Sequence, residues 1–192
     1  MKKGILISAV LSLCIIFTTE NVNAQDEIRG FNKGKVVPQL GIGLGGYGYY
    51  PGVAVRRGFT IPVVFGIEGG VHDYVGVGGY FGVATRRYNS RTRRATTLST
   101  GARGTFHFYN MIEDLTGADL FTDKLDIYVG VLMGYEQNLY SHEVNSRGRF
   151  FGGGMVGIRY YPTSVFGVYA EVGRNVLSFI NLGVAFRLGR KN

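Results

Sequence analysis

From residue 61 onward, side chains of one character return at every second position, the period of a β-strand rather than of a helix. Over 61–71 the odd positions are Ile61, Val63, Phe65, Ile67, Gly69 and Val71. Over 75–85 they are Val75, Val77, Gly79, Phe81, Val83 and Thr85, and over 125–135 Leu125, Ile127, Val129, Val131, Met133 and Tyr135. Over 180–188 the even positions are Ile180, Leu182, Val184, Phe186 and Leu188. Of these 23 positions 20 are apolar residues other than glycine, and none is charged. Gly, Glu, Arg, Asn, Tyr and Ala fill the opposite parity. Weaker alternation at 36–47, 96–109, 149–161 and 166–173 completes an expected set of eight strands. Pro38 and Pro62 fall near strand starts, where a missing N–H does least harm.

Sheet faces this apolar must be covered. A soluble sandwich would turn them inward and show a charged face to water, but only 18% of the residues are charged and the polar face is rich in the chain's 31 glycines. A closed barrel with lipid outside and small or polar side chains inside fits the pattern better. Closure also removes the sheet edges, which lipid cannot satisfy. No stretch after Gln25 has the uninterrupted apolar length of a membrane-spanning helix. The expected fold is therefore an all-β, eight-stranded antiparallel transmembrane up-and-down barrel.

Residues 1–24 read as an export leader. Lys2 and Lys3 precede an apolar run from Ile5 to Phe17, and Val22-Asn23-Ala24 supplies a small-residue cleavage site. Cys14, the only thiol, lies within that run and leaves with it, so the expected mature domain is 25–192. Its expected destination is the outer membrane of a Gram-negative bacterium. His72-Asp73-Tyr74 and Pro162-Thr163-Ser164 read as tight periplasmic turns. The connections 48–59, 89–95, 140–148 and 174–178 then face the exterior. The 110–124 connection is long for a periplasmic turn and has room for a turn of helix.

With its leader, eight alternating strands and final strand Asn181-Leu182-Gly183-Val184-Ala185-Phe186-Arg187-Leu188, the chain resembles the small outer-membrane barrels of the OmpA/OmpX-like group. Within that group it looks most like the outer-membrane β-barrel proteins of Bacteroidetes. The resemblance covers 36–188 and implies insertion by the barrel-assembly machinery, although the chain ends in Gly189-Arg190-Lys191-Asn192 rather than an aromatic residue. It implies a fold and not a task.

Parity places Glu68, Arg103, Glu136, Arg159, Glu171 and Arg187 in the lumen, with Tyr80, Tyr128, Tyr169 and His107 around them. Unpaired charges there would be costly, so an ionic network is expected. It is either a structural plug, as an eight-stranded interior filled by side chains favours, or an ion gate, with inward Gly76, Gly78, Gly82, Gly130 and Gly134 leaving space for water. The net charge of +8 is unevenly distributed. Arg56, Arg57, Arg86, Arg87, Arg91, Arg93, Arg94, Arg147, Arg149 and Arg174 lie in or beside the outer connections. Asp26, Glu27, Asp73, Glu113, Asp114, Asp119, Asp123 and Asp126 lie on the periplasmic side. Arg91, Arg93, Arg94, Arg56, Arg57, Arg147 and Arg149 are the candidate contacts to lipopolysaccharide or another anionic surface. Two aromatic girdles account for Tyr47, Tyr49, Tyr50, Tyr88, Tyr135 and Tyr140 at the outer strand ends and for Tyr74, Phe108, Tyr109, Tyr160, Tyr161 and Phe166 at the inner ends.

Catalysis is poorly supported. No Ser stands two residues after His72, His107 or His142, and Ser141-His142-Glu143 places neighbours on opposite faces of a strand. The aspartates at 114, 119, 123 and 126 do not have calcium-loop spacing. Gly41-Ile42-Gly43-Leu44-Gly45-Gly46 has no helix after it and is not a nucleotide loop. No cofactor or nucleic-acid partner is expected. The expectation is a monomeric, non-enzymatic outer-membrane protein with a structural or surface-interaction role, or alternatively a narrow porin-like channel.

Overall fold

The computed structural model describes residues 29–44, 61–87, 94–118, 120–140 and 147–189. The leader, and the outer connections at 45–60, 88–93 and 141–146 that hold Arg56, Arg57, Arg91 and Arg93, lie outside the described residues.

The strands are β1 (Lys35–Leu44), β2 (Val63–His72), β3 (Val75–Arg87), β4 (Arg94–Phe106), β5 (Leu125–Tyr140), β6 (Arg147–Tyr160), β7 (Phe166–Gly173) and β8 (Ile180–Phe186). A two-residue continuation, β9 (Leu188–Gly189), follows β8 after a break at Arg187. Each strand pairs antiparallel with its sequence neighbours, and β1 pairs with both β2 and β8, which closes the sheet. The result is an eight-stranded up-and-down barrel in which each of β1 to β8 has a partner on each side over at least part of its length.

Alternation determines the two surfaces. Val63, Phe65 and Ile67 on β2, Val77 and Phe81 on β3, Val131 and Met133 on β5 and Val168 and Val172 on β7 all point outward. The interleaved residues are buried in the lumen. The turn end is tight between β2 and β3, where only Asp73 and Tyr74 separate the strands. Tyr160, Phe166 and Phe186 stand on the outer wall near that end, the last two in edge-to-face contact at 5.8 Å. Tyr161 departs from the expected girdle. It is buried in the lumen beneath the Arg187 guanidinium, because it is one residue out of phase with Tyr160.

Two connections differ from expectation. β4 ends at Phe106 rather than at 109, and the chain turns into helix α1 (Phe108–Thr116), which Gly117 ends in a left-handed conformation that donates its N–H to the Glu113 carbonyl. The 174–178 connection does not lie on the outer surface. It folds into the barrel mouth, burying Asn175, Val176, Leu177 and Ser178. Val176 and Leu177 pack there with Val64, Tyr80, Ala84, Leu132 and Met155.

The inward glycines leave no water-filled space where these side chains lie. They provide the space that large ones need. Tyr80 lies over Gly101 and Gly134, Tyr128 over Gly157, Tyr169 over Gly41 and Gly183, Met155 over Gly130, and Val176 with Leu177 over Gly82. At Gly134 a methyl group would meet the Tyr80 hydroxyl, the Thr100 carbonyl and the Gly101 backbone together, and backbone cannot move aside. At outward Gly104 the nearest atom, of Val131, is 4.0 Å away. Gly134→Ala is therefore expected to cost about 1–3 kcal/mol through overpacking, and Gly104→Ala to cost nothing or to stabilise slightly. The urea midpoints of the two refolded variants test this contrast.

Candidate functional site

The lumen between its two mouths holds an ionic cluster drawn from five strands. Glu68 comes from β2, Arg103 from β4, Asp126 and Tyr128 from β5, Arg159 from β6 and Glu171 from β7, with His107 just beyond β4. Arg159 donates to Glu68 Oε2 at 2.6 Å and to Asp126 Oδ2 at 3.1 Å. Arg103 donates to Glu171 Oε1 at 2.9 Å and to Gln39 Oε1 at 3.0 Å, and lies 3.6 Å from Glu68. The Tyr128 hydroxyl donates to Glu171 at 2.8 Å, while its ring lies 4.1 Å from the Arg159 guanidinium and 5.9 Å from that of Arg103. Asn175, from the inserted outer connection, donates to the other oxygen of Glu171 at 2.5 Å.

Histidine 107 completes the charge balance. Its Nδ1 is 2.7 Å from Asp126 Oδ1 and its Nε2 2.9 Å from Glu68 Oε1. Two carboxylates facing two ring nitrogens require a proton on each, so the ring is an imidazolium. Three acids then meet Arg103, Arg159 and His107, and the cluster is electroneutral. Thr105 stands 3.1 Å from Nε2, so Asp126, His107 and Thr105 have the residue types of a nucleophilic relay. The Thr105 hydroxyl donates its hydrogen bond to Glu68 Oε1 at 2.6 Å, and both ring nitrogens of His107 face carboxylates, so these groups are joined within the cluster. Among the described residues no group of three or more His, Cys, Asp or Glu is arranged to hold a metal ion.

The six residues placed in the lumen by parity divide into three groups. Glu68, Arg103, Arg159 and Glu171 belong to the central cluster. Glu136 lies nearer the loop end and takes two contacts from Arg149, at 2.7 Å from Nε and 2.6 Å from Nη2. Arg149 therefore stands in β6 opposite Glu136, its side chain 38% exposed, rather than in an outer loop. Arg94 and Arg147 lie at strand ends, in β4 and β6. Arg187 meets no acid. It donates to the carbonyls of Ser164, Arg29 and Asp123 at the turn end.

Asp126 joins the cluster from the turn end of β5. Expected on the periplasmic side, it lies at the turn end as the second residue of β5, where it is fully buried and opposite Arg159 in the β5–β6 register. The signal was available: Asp126–Arg159 and Glu136–Arg149 are equidistant from one hairpin turn, so a single register sets both pairs.

The turn-end mouth is closed by the segment before β1. Phe31 is fully buried and stacks flat on His107, with centroids 3.5 Å apart and planes 3° from parallel. Asn110 of α1 donates to the Phe31 carbonyl at 2.6 Å. Outside the mouth, Asp114 receives two contacts from Arg29, at 3.0 and 2.7 Å, and a hydroxyl hydrogen bond from Tyr74 at 2.5 Å.

Closed antiparallel topology, an apolar outer wall and a filled ionic lumen together decide the architecture. This is the fold of the small outer-membrane β-barrels. The outer-membrane protein OprG of Pseudomonas aeruginosa superposes with a TM-score of 0.54 at 8% identity, over 85% of this chain and all of that one. The N-terminal barrel domain of Pseudomonas aeruginosa OprF gives 0.49 at 15% identity, over 82% and 99% of the two chains. Ail, the attachment invasion locus protein of Yersinia pestis, gives 0.41 at 13% identity, over 81% and 95%. No protein-family model matches the sequence, and no curated protein sequence matches it.

Two expectations follow. Removing one partner from the buried cluster, as in Arg159→Met, is expected to lower stability by about 3–5 kcal/mol. Neutralising Glu136 with Glu136→Gln, whose partner Arg149 is partly exposed and can be rehydrated, should cost about 1 kcal/mol or less; equal urea midpoints would contradict this division. At the mouth, the hydrogen bonds from Arg29 and Tyr74 hold the Asp114 carboxyl below its ordinary pKa. The folded value is the lower one, so this tie is intact above the unfolded pKa and is lost as pH falls through the folded one. A carboxyl NMR titration should find the Asp114 midpoint below the usual aspartate value of about 3.9, moving up toward it in Tyr74→Phe.

Proposed function

We propose that this chain is a non-enzymatic outer-membrane barrel that acts through the surface it presents at its loop end, where basic connections contact lipopolysaccharide or another anionic surface. The observation that carries this reading is the difference in strand length around the wall. β3, β4, β5 and β6 have 13, 13, 16 and 14 residues, whereas β1, β2, β7 and β8 have 10, 10, 8 and 7. About 9–11 residues suffice to cross the hydrocarbon. The β2–β3 ladder ends at Val83 and the β6–β7 ladder at Met155, so 84–87 and 147–154 extend past their short neighbours toward 88–93 and 141–146.

That extension has the features of a contact surface. β7 pairs with β6 only over Met155–Tyr160, so among the described residues Arg147–Gly153 has ladder partners on β5 alone. Phe150 on this edge is 85% exposed. Arg94 begins β4, and the sequence places Arg91 and Arg93 just before it, in the 88–93 connection outside the described residues; guanidinium groups take phosphates or carboxylates in bidentate fashion. The filled lumen supports the same reading against a channel. Val176 and Leu177 occupy one mouth, Phe31 the other, and the ionic cluster the space between.

Refolded protein in planar bilayers is expected to show no sustained conductance. It should bind lipopolysaccharide-containing vesicles at low salt and lose that binding at high salt, as screened charge contacts do. Replacing Arg91, Arg93 and Arg94 by Gln should weaken binding without moving the urea midpoint. Steady conductance indifferent to those substitutions would favour a channel instead.

A further inference from the structure

Helix α1 has its amphipathic faces reversed with respect to the barrel. At 100° per residue, Phe108, Met111, Ile112 and Leu115 fall on one stripe in the i, i+3, i+4, i+7 pattern of an apolar face. Asn110, Glu113 and Asp114 fall on the other side. Part of the polar side faces the protein: Asn110 is fully buried against the Phe31 carbonyl, and Asp114, itself exposed, is tied to the barrel end by Arg29 and Tyr74. On the apolar side Ile112 is 38% and Leu115 77% exposed, while Phe108 and Met111 are half-buried. A helix packed on a core would show the opposite orientation.

What covers this stripe is indicated by the wall it continues. Phe106, two residues before the helix, points outward beside its register neighbour Val129 on the barrel's apolar surface. The surface then passes through Phe108 onto the helix without a charged residue on the stripe. Both ends of the 107–124 connection are fixed by strands, β4 and β5, at the level where the outer wall ends.

We propose that α1 lies along the membrane plane at the turn end, with Met111, Ile112 and Leu115 inserted at the headgroup–acyl boundary of that leaflet, as interfacial amphipathic helices lie. The proposal rests on the barrel spanning a bilayer. It makes lipid, rather than a second copy of the chain or a periplasmic protein, the partner of this face.

The chain contains no tryptophan, so one introduced Trp is a clean reporter. Leu115→Trp, Ile112→Trp and Val131→Trp, the last on the outer wall in mid-strand, are refolded into vesicles of phospholipid brominated at shallow or deep acyl positions. Trp at 131 reports whether the barrel is in the bilayer, and deep bromines should quench it most. Trp at 115 and 112 should emit to the blue of Trp in water and lose most intensity to shallow bromines. Quenching at 131 with unquenched emission at both 115 and 112 would overturn the helix assignment while leaving the spanning barrel intact. Blue-shifted but unquenched emission at 115 would mean that protein covers the stripe, and would overturn it equally. Absence of quenching at all three positions would overturn the spanning reading itself.

Discussion

A sheet surrounded by lipid must satisfy each backbone N–H and C=O within the sheet, and this requirement governs the rest of the molecule. It makes β1 pair with both β2 and β8, and so makes the strand number finite. Eight strands leave a lumen only wide enough for side chains. The interior therefore behaves as a core to be filled, and its composition follows from how the filling is done. Glycine and tyrosine alternate across facing strands because a ring from one wall needs a missing side chain on another: Tyr80 over Gly134, Tyr128 over Gly157, Tyr169 over Gly41.

Charge in that interior is tolerable only as a balanced set. Glu68, Asp126 and Glu171 would be expensive individually, and so would Arg103 and Arg159. Joined by His107 and bridged by the Tyr128 ring they form one neutral unit that ties β2, β4, β5, β6 and β7 across the barrel. The two ends of the lumen depend on that unit. Asn175 fastens the inserted outer connection to Glu171, and Phe31 stacks on His107. Residues far apart in the chain thus close both mouths through the same cluster, which is why the arrangement reads as a plug.

Much of this was legible from residues alone, and where it failed the failure was physical. Period two separated Val63, Phe65 and Ile67 from Glu68, and Ile158 from Arg159, because a strand's side-chain direction is set by its own backbone. Aromatic type alone points Tyr161 to a girdle, but it shares the parity of Arg159 and lies inside. Asp126 lies at the turn end, as its place at the start of β5 implies, and its parity and the β5–β6 register turn it into the lumen beside Arg159. The burial of Val176 and Leu177 had no periodic signal, since an irregular connection has none to give.

The sequence by itself determined the strand count, the lipid-facing and lumen-facing sides and the presence of compensating charges, since all three follow from alternation and composition along the chain. Tertiary structure alone decided who meets whom across the lumen: Arg159 with Glu68, 91 residues away, Arg149 with Glu136 instead of an external anion, and Phe31 with His107. Alternation is a local property of successive residues. Pairing across a closed barrel depends on the relative stagger of all eight strands, and that stagger is fixed only when the last strand returns to the first.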